Sequence, residues 1–223
     1  MGKAPRRKAE ARTAAEGRPS RAERRRVRPA GPSDADRVQE LLELIVWTDP
    51  GLPATMAATL RAGASPASPA GMRLLLVADG DDGKPDAVLT AGPPGEWLQG
   101  LRAFGPAAQI HMARRVVDLE GVAVDPGRRG QGLGALLIED AAHRFRNAGY
   151  RLMSGTFELP YGDLTGYYEK RGFTVLPPGK PLLLRIPEDN GAVAYPADPH
   201  MQQMWRPLAP GVTAPGGVID GVL

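Results

Sequence analysis

The stretch from Val122 to Gly134 limits this chain more than any other. It reads Val-Ala-Val-Asp-Pro-Gly-Arg-Arg-Gly-Gln-Gly-Leu-Gly, an apolar strand, a turn crowded with glycine, and then at once the start of a helix. Apolar positions Leu133, Leu136, Leu137, Ala141 and Phe145 recur at helical spacing and predict an amphipathic helix over 131–147. The first backbone N–H groups of such a helix have no intrahelical acceptor, and the aligned peptide dipoles make the spot attractive to anions. Glycine lets a bulky pyrophosphate approach the backbone, and Arg128 and Arg129 add positive charge. The chemistry implied is phosphate binding on an α/β scaffold.

Two common phosphate motifs do not fit. A P-loop requires Ser or Thr after Gly-Lys, but Gly83-Lys84 and Gly179-Lys180 are each followed by proline. A dinucleotide fingerprint fits formally at Gly130, Gly132 and Ala135, yet residues 149–157 contain no acidic side chain to take a ribose. What remains is Arg-x-x-Gly-x-Gly, met by Arg129, Gly132 and Gly134, and a second stretch downstream, Tyr167-Tyr168-Glu169-Lys170-Arg171-Gly172-Phe173.

Together these two stretches resemble the hallmarks of the GNAT superfamily of acyl-CoA-dependent N-acyltransferases. The predicted element order β-α-α-β-β-β-α-β-α-β-β over residues 25–207 is similar as well. The resemblance implies a single α/β domain: a mixed, mostly antiparallel sheet with helices on both faces and a V-shaped splay between the central strands. It implies acetyl-CoA as acyl donor, with the pantetheine arm along the backbone of Val122, Ala123 and Val124. The pyrophosphate would lie on the amides of Arg129, Gly130, Gln131, Gly132, Leu133, Gly134 and Ala135. A backbone N–H near Val122 would polarise the thioester carbonyl.

Tyr168 matches the family's general acid for the departing thiolate, with Tyr167 as packing. An attacking amine must be neutral, so a base or water chain has to take its proton. Strand alternation predicts Asp118 and Glu120 on one face with Val122 and Val124, and both carboxylates are candidates, Glu120 ahead of Asp118. Where many relatives have Asn, seven residues before the acid Tyr, this chain has Tyr161. Trp47 and Trp97 are candidate walls of the acceptor pocket.

Composition removes other chemistries. Cysteine is absent, so there is no disulfide, thiolate metal site or cysteinyl acyl-enzyme. His111, His143 and His200 lack metal-ligand spacing, and no metal is expected. No apolar run approaches the roughly 20 residues of a membrane helix, and no signal peptide is expected; the reading is a cytoplasmic protein. The net charge of +3 is uneven: residues 1–28 carry +8 and the remainder −5. Residues 1–24 have almost no large apolar side chain and read as a disordered basic leader. A nucleic-acid partner is not expected, since Arg24-Arg25-Arg26 lacks interleaved aromatics. Residues 208–223 read as a flexible tail, and 178–200 as a Pro-rich insertion.

The acceptor is expected to be the amine of a small molecule or peptide, attacked directly in a ternary complex. The resemblance admits a homodimer. The rival is a non-catalytic acyl-CoA-binding sensor or assembly module, which would keep the Gly loop without needing Tyr168 or a carboxylate on the strand.

Overall fold

The computed structural model describes residues 26–64, 71–159, 162–186 and 191–223. The expected leader and Tyr161 lie outside them. Strand β1 (Val27–Pro29) leads into helices α1 (Ala35–Leu42) and α2 (Leu52–Arg61). The hairpin β2 (Leu74–Asp79) and β3 (Pro85–Gly92) follows, then α3 (Gly95–Gly100) and α4 (Gly105–Ala113). Next come β4 (Val116–Val124), α5 (Leu133–Asn147), β5 (Leu152–Glu158) and α6 (Thr165–Glu169). Five strands complete the described elements: β6 (Thr174–Val175), β7 (Leu182–Ile186), β8 (Gly191–Tyr195), β9 (Met201–Pro207) and β10 (Val218–Ile219).

Seven strands form the main sheet in the order β1-β2-β3-β4-β5-β9-β6. Every neighbouring pair in it is antiparallel except β4 with β5. Both faces are covered, which is why β2 reads as an unbroken apolar run, Leu74 to Ala78, rather than an alternation. Leu76 and Leu89 pack with Leu137, Ile138 and Phe145 of α5. Val77, Val88 and Ala123 pack with Val38, Leu41 and Leu42 of α1 and with Met56 and Leu60 of α2. The helix face of α5 is set by Leu137, Ile138, Ala141 and Phe145, whereas Leu136 is 39% exposed.

Two stretches that the sequence leaves without an assigned element gain one, and one expectation is corrected. The connection 92–114 holds two helices. The stretch 178–200 holds the hairpin of β7 and β8, and β10 joins it in parallel to make a second, three-stranded sheet. The tail 208–223 is packed: Leu208, Val212, Ile219 and Val222 are all buried, and the last three join Trp97, Leu182, Leu184 and Trp205 in a third core cluster. None of these short segments has an apolar face of its own long enough to announce its structure. Each is stabilised by apolar surface that the others supply. Val222→Ala should therefore cost about 2 kcal/mol, two lost methylene equivalents plus a partial cavity. Denaturant titration would check this; a change near zero would mean that the end is not packed in solution.

Candidate active site

The site begins where two central strands part. β4 and β5 pair from Val116 opposite Leu152 to Leu119 opposite Gly155, and the pairing ends there. β5 continues against β9, while β4 continues against β3 as far as Val124 opposite Ala87. The edge of β4 facing β5 is therefore without a strand partner over its last turns of chain. At the fork the β3–β4 register slips: Thr90 faces Gly121, but Ala91 faces Leu119. Glu120 is the extra residue of a β-bulge.

That bulge corrects the expected alternation. Val117, Leu119, Val122 and Val124 all pack on the α5 side, so alternation breaks between Leu119 and Val122. Asp118, opposite Gly92, and Gly121, opposite Thr90, belong with Ala123 on the α1 side. Asp118 and Glu120 thus do not share a face with Val122 and Val124. Reading the strand as regular could not reveal this, because one inserted residue reverses every side chain beyond it.

The glycine loop follows β4. Asp125 accepts a hydrogen bond from the Gly127 N–H (2.8 Å) and pairs with Arg37 of α1. The Arg37 and Gly127 bonds hold the Asp125 carboxyl below its ordinary range. Arg128 pairs with Asp86 (3.2 Å), whose own carboxyl is pushed up by burial against the pull of that guanidinium. Gly130 (φ 73°) and Gly132 (φ 83°) adopt left-handed backbone that side chains with a Cβ resist, and α5 starts at the next residue, Leu133.

A cleft of about 570 Å³ lies against this loop. Val122, Ala123 and Val124 line it, with Arg129, Gly130, Gly132, Leu133, Gly134 and Ala135 from the loop and first turn of α5. Of the residues expected to hold the donor, Gln131 alone is not in the lining. Arg128, Arg171, Leu44, Leu164, Tyr167 and Tyr168 are. Three guanidinium groups and no carboxylate face it, which suits a ligand rich in phosphate. Arg171 went unassigned in the sequence, although it sits inside the second motif.

Tyr168 is 8% exposed, stacked on Phe157 (5.4 Å between ring centroids) and edge-on to Tyr167 and Phe173. Burial, reinforced by the neighbouring Tyr167, pushes its phenol up to about 12, while Arg171 acts in the opposite direction. The group is a protonated donor at neutral pH. Tyr167 leans on the helix start: its hydroxyl lies 2.6 Å from where a Cβ on Gly134 would stand. A Cβ there would force that ring to move.

The carboxylates lie across the strand from this lining. Glu120 Oε2 accepts from the Thr90 hydroxyl (2.8 Å) and pairs with Arg73. Asp118 Oδ1 accepts from the Ser154 hydroxyl (2.9 Å) on the paired strand. Neither lines the cleft. Trp47 donates its indole N–H to the Leu42 carbonyl (2.8 Å), and its ring lies 2.9 Å from where a Cβ on Gly121 would stand. It borders the fork on the carboxylate side. Trp97 is different: it is 1% exposed, packed edge-on to Tyr195, and belongs to the third core cluster rather than to a pocket wall. His111, His143 and His200 are exposed. Among the described residues no group of three or more His, Cys, Asp or Glu is placed to hold a metal ion. No described helix is long and apolar enough to cross a membrane.

This fold and these motifs are those of an acyl-CoA-dependent N-acyltransferase. Residues 66–173 match the acetyltransferase (GNAT) family, and the chain carries a GNAT acetyltransferase domain. Acyl transfer from coenzyme A to an amine is that family's general reaction. Among solved structures with the same fold is a phosphinothricin acetyltransferase from Sinorhizobium meliloti in complex with acetyl-CoA. It is 17% identical, has a TM-score of 0.57, and the match covers 84% of this chain and 90% of that one. A GNAT acetyltransferase from Streptococcus pneumoniae is 18% identical with a TM-score of 0.54, over 83% of this chain and 99% of that one. Ard1 from Thermoplasma volcanium is 14% identical with a TM-score of 0.51, over 83% and 98%. No curated protein matches the sequence closely enough to count as a relative.

Proposed function

We propose that this protein transfers an acetyl group from acetyl-CoA to the primary amine of a small molecule or peptide, by direct attack in a ternary complex. The observation that carries the reading is the cleft at the parting of β4 and β5, where an open strand edge, a helix start and a buried tyrosine meet. The edge at Val122–Val124 suits an extended amide-bearing arm, which would bind as an added strand. The loop from Arg129 to Ala135 suits a pyrophosphate, since its two left-handed glycines turn the chain sharply into α5. Tyr168 gives its proton to the leaving sulfur. Glu120, on the opposite face and bulged out of the ladder, takes the proton from the amine. Both its known donors converge on Oε2, which leaves Oε1 for that task. Asp118 is the second candidate.

Mixing the protein with acetyl-CoA and a panel of primary amines, with release of free thiol as the readout, tests the reading. Amine-dependent release supports it. Tight CoA binding without release for any amine would favour the sensor alternative. The two carboxylates separate by pH. Glu120→Gln should cut the rate most at neutral pH, by roughly 10-fold to 100-fold, and recover towards the amine's own pKa, where solvent supplies the neutral nucleophile. Asp118→Asn should not show that recovery. If it does and Glu120→Gln does not, the base is Asp118. If neither changes the profile, the proton leaves through water.

A further inference from the structure

Arg171 is the one cation of the cleft that carries no ion pair or carboxylate hydrogen bond among the described residues and also touches the tyrosines. Its guanidinium carbon lies 3.4 Å from the centre of the Tyr167 ring, and its Nη1 donates to the Tyr167 carbonyl. Its Nε is buried with no hydrogen-bond partner. A buried cationic N–H without an acceptor is costly unless the site uses the charge. Glu139 of α5 feels its charge but is already held by both Nη groups of Arg206 (2.7 and 2.9 Å). The stacked ring is in turn the one that abuts Gly134 and stands edge-on to Tyr168 at 5.1 Å.

We propose that Arg171 is a positioning residue for acyl transfer: it clamps Tyr167 against the start of α5 and supplies the positive charge that offsets the Tyr168 phenolate. This rests on the reading of Tyr168 as the acid. In the step concerned, the amine nitrogen bonds to the thioester carbon and the C–S bond breaks, its electron pair going to sulfur. Sulfur takes the proton from Tyr168 Oη and leaves as a thiol. After attack the nitrogen sheds its second proton, which reaches the phenolate through water; the first, taken by Glu120 before attack, passes to solvent, so the enzyme returns to its starting state. Between those events a negative oxygen sits in a largely apolar niche made by Phe157, Phe173 and Tyr167. The charged or titratable groups facing it there are Tyr167 and Arg171, with Arg128 and Arg129 further round the cleft wall. Of these, Tyr167 opposes the charge and Arg171 favours it.

The test compares Arg171→Gln and Arg171→Lys with Tyr168→Phe. In the free protein, the ultraviolet phenolate titration of Tyr168, isolated as the difference from Tyr168→Phe, should move to higher pH in Arg171→Gln and return part of the way in Arg171→Lys. In turnover, Arg171→Gln should lower kcat by roughly tenfold, one pH unit's worth of phenolate stabilisation, with KM for acetyl-CoA little changed. Combined with Tyr168→Phe it should cost nothing more, because the charge it would offset never forms. Three results overturn the proposal: an unmoved titration, a loss confined to KM, or an effect of Arg171→Gln that is undiminished in the Tyr168→Phe background. A Tyr168→Phe variant with full turnover would instead remove the acid assignment itself. Melting curves for Arg171→Lys guard against a folding defect being taken for a loss of charge.

Discussion

Tyr168→Phe is expected to lower turnover by roughly 100-fold while leaving CoA affinity nearly intact, within the usual range for losing a general acid. The substitution removes one oxygen and keeps the ring that stacks on Phe157 and meets Tyr167 and Phe173. Stopped-assay rates and calorimetry with CoA would report the two quantities separately. The same variant has a signature in stability. The folded protein holds this phenol protonated up to about 12, whereas an unfolded tyrosine loses its proton near 10. Below pH 10 both states are neutral and Tyr168 adds no pH dependence. Between about 10 and 12 the unfolded chain releases a proton that the folded one retains, so stability falls as pH rises, by up to about 1.4 kcal/mol per pH unit. Tyr150 and Tyr167, also raised by burial, act in the same sense. The wild type should therefore lose more stability across this window than Tyr168→Phe does. Parallel curves for the two proteins would show that the phenol is not buried as described, and unchanged turnover would remove it from the chemistry.

Gly132→Val should weaken CoA binding by tenfold or more, on the order of 1.4 kcal/mol or above, with the fold retained. At φ 83° a β-branched residue is strained wherever it points, and no atom lies within 4 Å of its added Cβ to be displaced. The side chain would stand at a residue of the cleft lining. Gly149→Val serves as the control. It too has positive φ (88°) and open space around its Cβ, but it lies just beyond the far end of α5. Strain alone should destabilise both variants alike, and only the one in the loop should lose CoA. Equal and unchanged affinities in two folded variants would place the phosphates elsewhere.

Much of this was legible because it is local. Glycines at 130 and 132 declare a left-handed turn, Leu133, Leu137, Ala141 and Phe145 declare the helix behind it, and the tyrosine motif lies within seven consecutive residues. Local chemistry of that kind depends on covalent neighbours, and the sequence contains it whole.

What the tertiary structure alone decided involves partners far apart along the chain. The bulge at Glu120 exists because Thr90 and Ala91, some thirty residues earlier, set a register that β4 cannot match without one extra residue. It moved two carboxylates off the face on which alternation had put them. Trp97 became core because Tyr195 and the β7–β8–β10 sheet close over it. Arg171 stands on the Tyr167 ring only in the folded chain, since a guanidinium acts through what lies within a few ångströms in space. Periodicity and spacing report on a residue's own element. Register, burial and the field at a side chain are set by surfaces that meet only after the chain has folded.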